Sequence, residues 1–346
     1  MKATRVLLVD DSLMVLTVLK RILSGDPEIE VVGLAQNGKE ALALIPKVEP
    51  DVICTDLYMP VMNGLEFTRR IMAEHPRPIL VVSVAVRPDE PENVFQLLEA
   101  GAVDVFPKPP GGFHVENESI ARELCAKVKL LSRVHVFRRV QNHLPVRPPP
   151  DIAPADDMPE VVAMGASAGG PQALEAVLAG LPRDFPVPLL CVQHIADGFI
   201  DGLTAWLRTH AALDVRIARD GETATRGTVY FPQEGRHLLI AENRRLVLSP
   251  DAPRNGHRPS VDTMFESVAR HHGSKAVAVI LSGMGTDGAR GLLAVRQAGG
   301  MTIAQDEATS VVFGMPGEAI KLGAVRSVLP VGQIAGALMG LCGIGV

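Results

Sequence analysis

Three side chains in the second half of the chain have the types that acyl transfer needs: the hydroxyl of Ser167, the imidazole of His194 and the carboxylate of Asp287. A serine attacks a carbonyl carbon when a base takes its proton, and the base works best when an acid orients it. Ser167 stands in Gly165-Ala166-Ser167-Ala168-Gly169, a G-x-S-x-G pattern whose glycines permit a sharp turn after a strand. Alone, the pattern reads equally well as a glycine turn that binds phosphate at a helix N-terminus. His194 alone reads as a cap or core residue, and Asp287 alone as the N-cap of the helix that follows it. At the ends of three apolar strands they read together as a nucleophile, a base and an orienting acid, in chain order Ser, His, Asp. The oxyanion needs backbone donors, and the candidates are the N–H of Ala168 and that of Met284 in the Gly283–Gly285 turn. His237, His257, His271 and His272 lack such placement and read as surface or packing residues.

The first half carries a different set. Asp10, Asp11, Asp56, Ser83 and Lys108 each fall at the carboxyl end of an apolar run. Three carboxylates in one place repel unless a cation sits among them, and a hard divalent ion with oxygen ligands, Mg²⁺, suits that role. A lysine and a hydroxyl beside them suit a phosphoryl group, which a carboxylate can accept as an acyl phosphate. Any one of these residues reads as an ordinary cap or turn; five at successive strand ends do not.

The elements that must position these groups follow from the hydrophobic pattern. Apolar runs at Arg5–Val9, Val31–Ala35, Val52–Thr55, Ile79–Val82 and Val103–Phe106 alternate with helical spacing, which predicts a doubly wound parallel sheet. Ligands of such sheets bind at the carboxyl edge of the strands. In the second half, Val161–Met164, Pro188–Gln193, Ala276–Leu281, Met301–Gln305 and Ala324–Leu329 predict a second sheet of the same kind. Asp214–Ile217, Gly227–Phe231, His237–Ala241 and Leu246–Ser249 read as short strands that include a hairpin. The fold class is therefore α/β with two doubly wound parallel-sheet domains, the first flavodoxin-like and the second Rossmann-like. Their expected bounds are 1–132 and 159–346. The stretch between, 133–158, holds Arg133, Arg138, Arg139 and Arg147 and then Pro145, Pro148, Pro149, Pro150 and Pro154, an extended spacer.

Composition narrows the class further. With a net charge of −5 and 4% aromatic residues, the 346-residue chain suits neither a polyanion partner nor base stacking, so no nucleic-acid partner is expected. Cys54, Cys125, Cys191 and Cys342 have no metal-type or paired spacing and read as reduced, mostly buried thiols. No signal peptide is visible, and no apolar run approaches the roughly 18 residues of a membrane span. A cytoplasmic monomer without membrane insertion is expected.

Two resemblances follow from these motifs. Val9-Asp10-Asp11, the D-x-x-M-P-x-x-N-G run from Asp56 to Gly64, Ser83 and Lys108-Pro109 resemble a two-component receiver domain. That resemblance implies that Asp56 takes phosphate from a histidine kinase of the chemotaxis type. It also implies that Asp10, Asp11, Asp56 and the Tyr58 backbone carbonyl hold Mg²⁺, and that Ser83 and Lys108 contact the phosphoryl oxygens. Val105 departs from the tyrosine or phenylalanine usual there, so the aromatic partner of Ser83 is absent or displaced to Phe106. GASAGGP, CVQHI, RPSVD, LSGMGTDGA and VVFGMP resemble the catalytic domain of the chemotaxis protein-glutamate methylesterases, the CheB family. This implies phosphorylation-activated hydrolysis of γ-glutamyl methyl esters on methyl-accepting chemoreceptors, with release of methanol, and deamidation of receptor glutamines. No cofactor is expected for that reaction. Ala168 stands where threonine is common, which keeps a backbone N–H and loses a hydroxyl.

Overall fold

The computed structural model describes residues 3–84, 94–108, 118–134 and 158–344. The chain divides between residues 142 and 143 into two compact units, each built on its own parallel sheet. Arg138, Arg139, Arg147 and the prolines from Pro145 to Pro154 of the expected spacer lie outside the described residues, as does Pro109.

In the first unit β1 (Thr4–Val9), β2 (Ile29–Ala35), β3 (Val52–Thr55), β4 (Ile79–Ser83) and β5 (Asp104–Pro107) alternate with helices. These are α1 (Leu13–Leu23), α2 (Gly38–Val48), α3 (Gly64–Glu74), α4 (Phe95–Glu99) and α5 (Glu118–Leu131). The strand order β2-β1-β3-β4-β5 is parallel throughout. Strands covered on both faces need apolar side chains on both, and Val6 to Val9 are buried without interruption. Ser12, Asn37 and Asn63 cap α1, α2 and α3 by accepting the N–H of Val15, Glu40 and Glu66. Because β1 lies inside the sheet, with β2 on one side and β3 on the other, the strand order reverses between β1 and β3. Asp10, Asp11 and Asp56 emerge at that crevice.

One backbone position in this unit is strained. Met62 N donates to Pro60 O at 2.7 Å across Val61, whose φ is 67°. This is a γ-turn of positive φ, disfavoured for any L-residue and most of all for a β-branched one. The Val61 side chain is 77% exposed, so packing does not offset the strain.

The second unit contains β6 (Val161–Ala166), α6 (Gly170–Leu178), β7 (Leu189–Gln193), α7 (Ile200–His210), β8 (Asp214–Ile217) and β9 (Thr228–Phe231). It continues with β10 (His237–Ile240), β11 (Leu246–Ser249), α8 (Val261–His272), β12 (Ala276–Ile280), α9 (Ala289–Gln297) and β13 (Met301–Gln305). It ends with α10 (Met315–Lys321), β14 (Ser327–Leu329) and α11 (Val331–Leu341). The seven-stranded sheet has the order β14-β13-β12-β6-β7-β9-β8, again all parallel. Both halves thus have the doubly wound α/β fold. Of the four short strands expected between 214 and 249, β8 and β9 join the sheet edge. The antiparallel pair β10–β11 forms the hairpin apart from it.

The helix α11 is not legible from the sequence. Its run carries Gly332, Gly336 and Gly340, which weaken helical propensity, yet it buries Ile334, Leu338 and Leu341 and packs on α6. All four cysteines are free and buried. Among the described residues no helix is long and apolar enough to cross a membrane.

Val61→Gly is expected to stabilise the first unit by about 1 kcal/mol, since glycine takes a positive-φ γ-turn without a Cβ clash. The urea midpoint of that unit's unfolding should rise; an unchanged or lower midpoint would show that the turn stores no strain.

Candidate functional site

The first unit brings its five predicted residues to one edge. Asp10, Asp11 and Asp56 each offer a carboxylate oxygen within 4.8 Å of the others; Asp10 and Asp56 are buried and Asp11 is exposed. Lys108 Nζ lies 2.7 Å from Oδ2 of both Asp10 and Asp56. Hydrogen-bond alignment holds only toward Asp56. Asp10 Oδ2 is consequently buried beside a cation but without a hydrogen-bond donor, and Ser83 Oγ is buried with no partner. Burial pushes the Asp56 carboxyl above its ordinary value; Lys108 pulls it back, and Asp10 adds to the rise. Burial works to lower Lys108, but the two carboxylates outweigh it and hold the ammonium charged. Three carboxylate oxygens within 4.8 Å of one another, with a single ammonium to offset them, are a donor set that fits a hard divalent cation. Tyr58 stands two residues beyond Asp56 in the same loop. Val105 and Phe106 are both buried, and Lys127 Nζ lies 6.0 Å from the Phe106 ring centre.

In the second unit, strand order explains the convergence. β6 is central, β7 flanks it on one side and β12 on the other, so the residues after these three strands meet at one switch point. Ser167 follows β6. Its carbonyl accepts Gly170 N at 2.8 Å, closing a four-residue turn in which Gly169 has φ 71° and ψ 5°. Those are the angles of the third residue of a type II turn. Here the fold differs from the strained elbow that G-x-S-x-G suggests. The positive φ sits on Gly169, while Ser167 is not among the positive-φ residues. A side chain at Gly169 would meet Val311 Cβ at 2.4 Å, so glycine is required on both counts.

His194 follows β7, and its backbone N–H continues the ladder to Ala166 O at 2.9 Å. Its Nε2 lies 2.9 Å from Asp287 Oδ2. Since an ionised carboxylate only accepts, Nε2 carries the proton and Nδ1 is a bare lone pair. Nδ1 is buried and has no hydrogen-bond partner, so Ser167 and His194 are not hydrogen-bonded to each other in this structure. The structure joins His194 to Asp287 and leaves Ser167 near them through its backbone. Gln193 Nε2 donates to both Ser167 O at 2.7 Å and His194 O at 2.8 Å, tying the two loops together.

Asp287 is not the cap of its own helix: Gly288 occupies the N-cap of α9. Instead its carboxylate receives the start of α8. Ser260 Oγ and Asp262 N donate to Oδ1 at 2.9 and 3.1 Å, and Val261 N donates to Oδ2 at 2.7 Å. Burial opposes ionisation, but the His194 contact and these N–H groups outweigh it and lower the carboxyl to about 2.

Ser282 braces the remaining turn. Its Oγ donates to Ala168 O at 2.8 Å and accepts Val312 N at 3.0 Å, and its N–H meets Gln305 Oε1 at 2.7 Å. Gly283 packs so closely that a Cβ there would lie 2.8 Å from Ser167 Cβ. The Gly283 N–H is engaged by Val312 O, whereas among the described residues neither Ala168 N–H nor Met284 N–H meets an internal acceptor.

One histidine departs from expectation. His257 does not merely pack at the surface: its ring stacks on His194 with centroids 4.1 Å apart and planes within 3°. His237 does pack as expected, accepting Ser260 N at 3.1 Å. Gln193, Gln305, Ser260 and Ser282 were also missed; the two glutamines give themselves away as polar last residues of apolar strands.

Together with the pocket of the first unit, this is the layout of a response regulator whose output half is an enzyme. A family model described as CheB methylesterase matches residues 162–338, and one described as response regulator receiver domain matches residues 6–114. The chain is 45% identical over 343 residues to a Geobacter metallireducens protein named protein-glutamate methylesterase/protein-glutamine glutaminase 4, covering 97% of this chain and 98% of the relative. It is 44% identical over 345 residues to a Nitrosospira multiformis protein of the same name without the number, covering 97% and 96%. The crystal structure of the Thermotoga maritima CheB methylesterase catalytic domain matches with 39% identity and a TM-score of 0.51, covering 53% of this chain and 98% of that domain. The chain belongs to the CheB family of protein-glutamate methylesterase/protein-glutamine glutaminases.

The Asp287 carboxyl titrates lower folded than unfolded. Its contribution, about 2 kcal/mol, is therefore fully present above about pH 4 and is lost as pH falls through about 2. Asp287→Ala should destabilise the second unit by about 3 kcal/mol near neutral pH, because it strands buried donors. In urea unfolding that gap should narrow steadily between about pH 4 and 2; a gap independent of pH would contradict the assignment.

Proposed function

We propose that residues 1–132 accept phosphate at Asp56 from a histidine kinase and thereby activate residues 159–346. These hydrolyse γ-glutamyl methyl esters on chemoreceptors and deamidate receptor glutamines, with Ser167, His194 and Asp287 as the catalytic residues. The observation that supports this reading best is the His194–Asp287 bond. By fixing the proton on Nε2, it leaves Nδ1 as an unpartnered acceptor on a loop that Gln193 ties to the serine turn.

The steps follow from that tautomer. Ser167 Oγ meets Nδ1 when substrate is bound, since catalytic hydrogen bonds of this kind tighten in the complex. Nδ1 takes the hydroxyl proton as Oγ attacks the ester carbonyl carbon. The oxyanion faces the N–H groups of Ala168 and Met284. Collapse breaks the bond to the methoxy oxygen, which takes the proton from His194 and leaves as methanol. A γ-glutamyl ester of Ser167 remains. Water then gives a proton to Nδ1 and attacks the same carbon; the second collapse returns that proton to Ser167 Oγ and frees the glutamic acid side chain, which ionises by releasing its own proton to solvent. An amide substrate follows the same course with ammonia as the leaving group. Asp287 stays ionised and stabilises the imidazolium in each half. These steps use only protein groups and water.

In the receiver, Asp10, Asp11, Asp56 and the Tyr58 carbonyl would hold Mg²⁺, whose charge, when bound, offsets that of an incoming phosphoryl group. Ser83 and Lys108 hold phosphoryl oxygens. Phosphoryl-Asp56 shifts the population toward the active state. Nucleic acid has no part in this scheme. Both the phosphodonor and the receptor segments that carry the esters are reached from the cytoplasm, where we place the chain as a monomer.

Methanol release from methylated chemoreceptor fragments tests the reading, with and without a beryllium fluoride phosphoryl mimic and Mg²⁺. The mimic should raise the rate, and Asp56→Ala should abolish that rise. Ser167→Ala should lower release by roughly 10⁴-fold or more. Undiminished release by that variant would remove Ser167 from the chemistry; turnover of small esters with none of receptor esters would move the substrate elsewhere.

A further inference from the structure

The loop that carries His257 is built for a purpose that the steps above leave unused. Arg254 and His257 exchange backbone hydrogen bonds of 3.0 and 2.9 Å around Asn255, with φ 51°, and Gly256, with φ 84°. Two successive positive φ values define a type I′ turn, and Asn-Gly is the pair that adopts it with least strain. The base of the turn is anchored to α8, since both terminal nitrogens of Arg254 donate to the Glu266 carboxylate. A tight turn on a fixed base gives the His257 ring little freedom. That ring lies flat on His194, 4.1 Å away and within 3° of parallel.

We propose that His257 is a positioning residue for the base: it closes one face of the His194 ring and fixes the plane in which Nδ1 meets the Ser167 hydroxyl. The inference rests on the reading of His194 as general base. A single hydrogen bond at Nε2 sets the distance to Asp287 but lets the imidazole rotate about the line of that bond. A coplanar ring held against its face removes the rotation. Burial, reinforced by His194 and opposed by Asp287, pushes His257 below the ordinary histidine value. The stacked partner is therefore neutral when His194 takes its proton, and a neutral π-face attracts the imidazolium it covers.

The full-length chain and three variants test this. Phenylalanine keeps a flat ring, leucine keeps volume without one, and alanine keeps neither. His257→Ala should lower kcat for methanol release about tenfold with KM changed less than about twofold. His257→Phe should recover kcat to within about threefold of the parent, and His257→Leu should not. The ¹⁵N signals of the His194 ring supply a readout apart from activity. The parent should show one sharp signal set of the Nε2–H tautomer, and His257→Ala the same tautomer with lines shifted and broadened by motion of the ring. Recovery by leucine equal to that by phenylalanine would reduce His257 to a space filler. Parent-like kcat and ¹⁵N signals in His257→Ala would overturn the proposal. A parent that releases no methanol, while its ring signals still respond to His257→Ala, would sink the esterase reading and leave the positioning role intact.

Discussion

The second unit depends on one buried charge. Asp287 is 2% exposed, and a carboxylate there is tolerable only if its oxygens find donors. Four are supplied: His194 Nε2, Ser260 Oγ, Val261 N and Asp262 N. Three of them come from the first turn of α8, where the helix dipole also favours negative charge. The work of solvating this charge is therefore divided between the histidine and the start of α8. That division matters for chemistry. A carboxylate held at about 2 does not take the proton when His194 becomes an imidazolium. In the proposed mechanism it therefore orients and stabilises His194 without competing for the proton.

The receiver places its carboxylates at the corresponding crevice and leaves them in the opposite condition. Asp10 and Asp56 share one ammonium between two carboxylates, and Ser83 Oγ lacks any partner although it is buried. Unpaired buried polar atoms are costly, and native proteins keep them chiefly where a ligand or ion is to be met. Lys108 bridges Asp10 and Asp56 at 2.7 Å and partly offsets their repulsion. So one sheet edge is completed by its own side chains around a group that must not change. The other is left incomplete around a group that must accept something.

What could be read from the sequence was whatever depends on strand ends. Uninterrupted apolar runs mark buried parallel strands, and the residue after each run is placed by topology. Asp10, Asp56, Ser167 and His194 were legible for that reason. Asp287 was legible as the carboxylate that meets His194, but not as the group that receives the start of α8. A local pattern assigns a carboxylate to the helix it precedes, while this one caps a helix that starts at Val261, before it in the chain. His257 fails for a related reason. Asn255-Gly256 announces a turn, but nothing local says that the next ring will lie on His194. The short strands β8 to β11 divide between a parallel edge and a free hairpin according to long-range pairing, which no period in the sequence records. In α11 the glycines mask an apolar stripe that only its contact with α6 makes evident.

The serine turn shows where precision in this site resides. In a strained elbow the nucleophile itself would hold an unfavourable backbone conformation. Here Gly169 takes the positive φ at no steric penalty, and Ser167 does not have one. Rigidity must then come from bonds across the crevice. Ser282 Oγ fixes the central peptide of the turn through Ala168 O, and the same hydroxyl fixes Val312, whose carbonyl holds Gly283 N. The two candidate oxyanion donors lie on separate loops, Ala168 after β6 and Met284 after β12. Ser282 connects these loops, so the spacing of the two N–H groups is set by a buried hydroxyl. A site organised this way takes its geometry from hydrogen bonds between neighbouring strand ends.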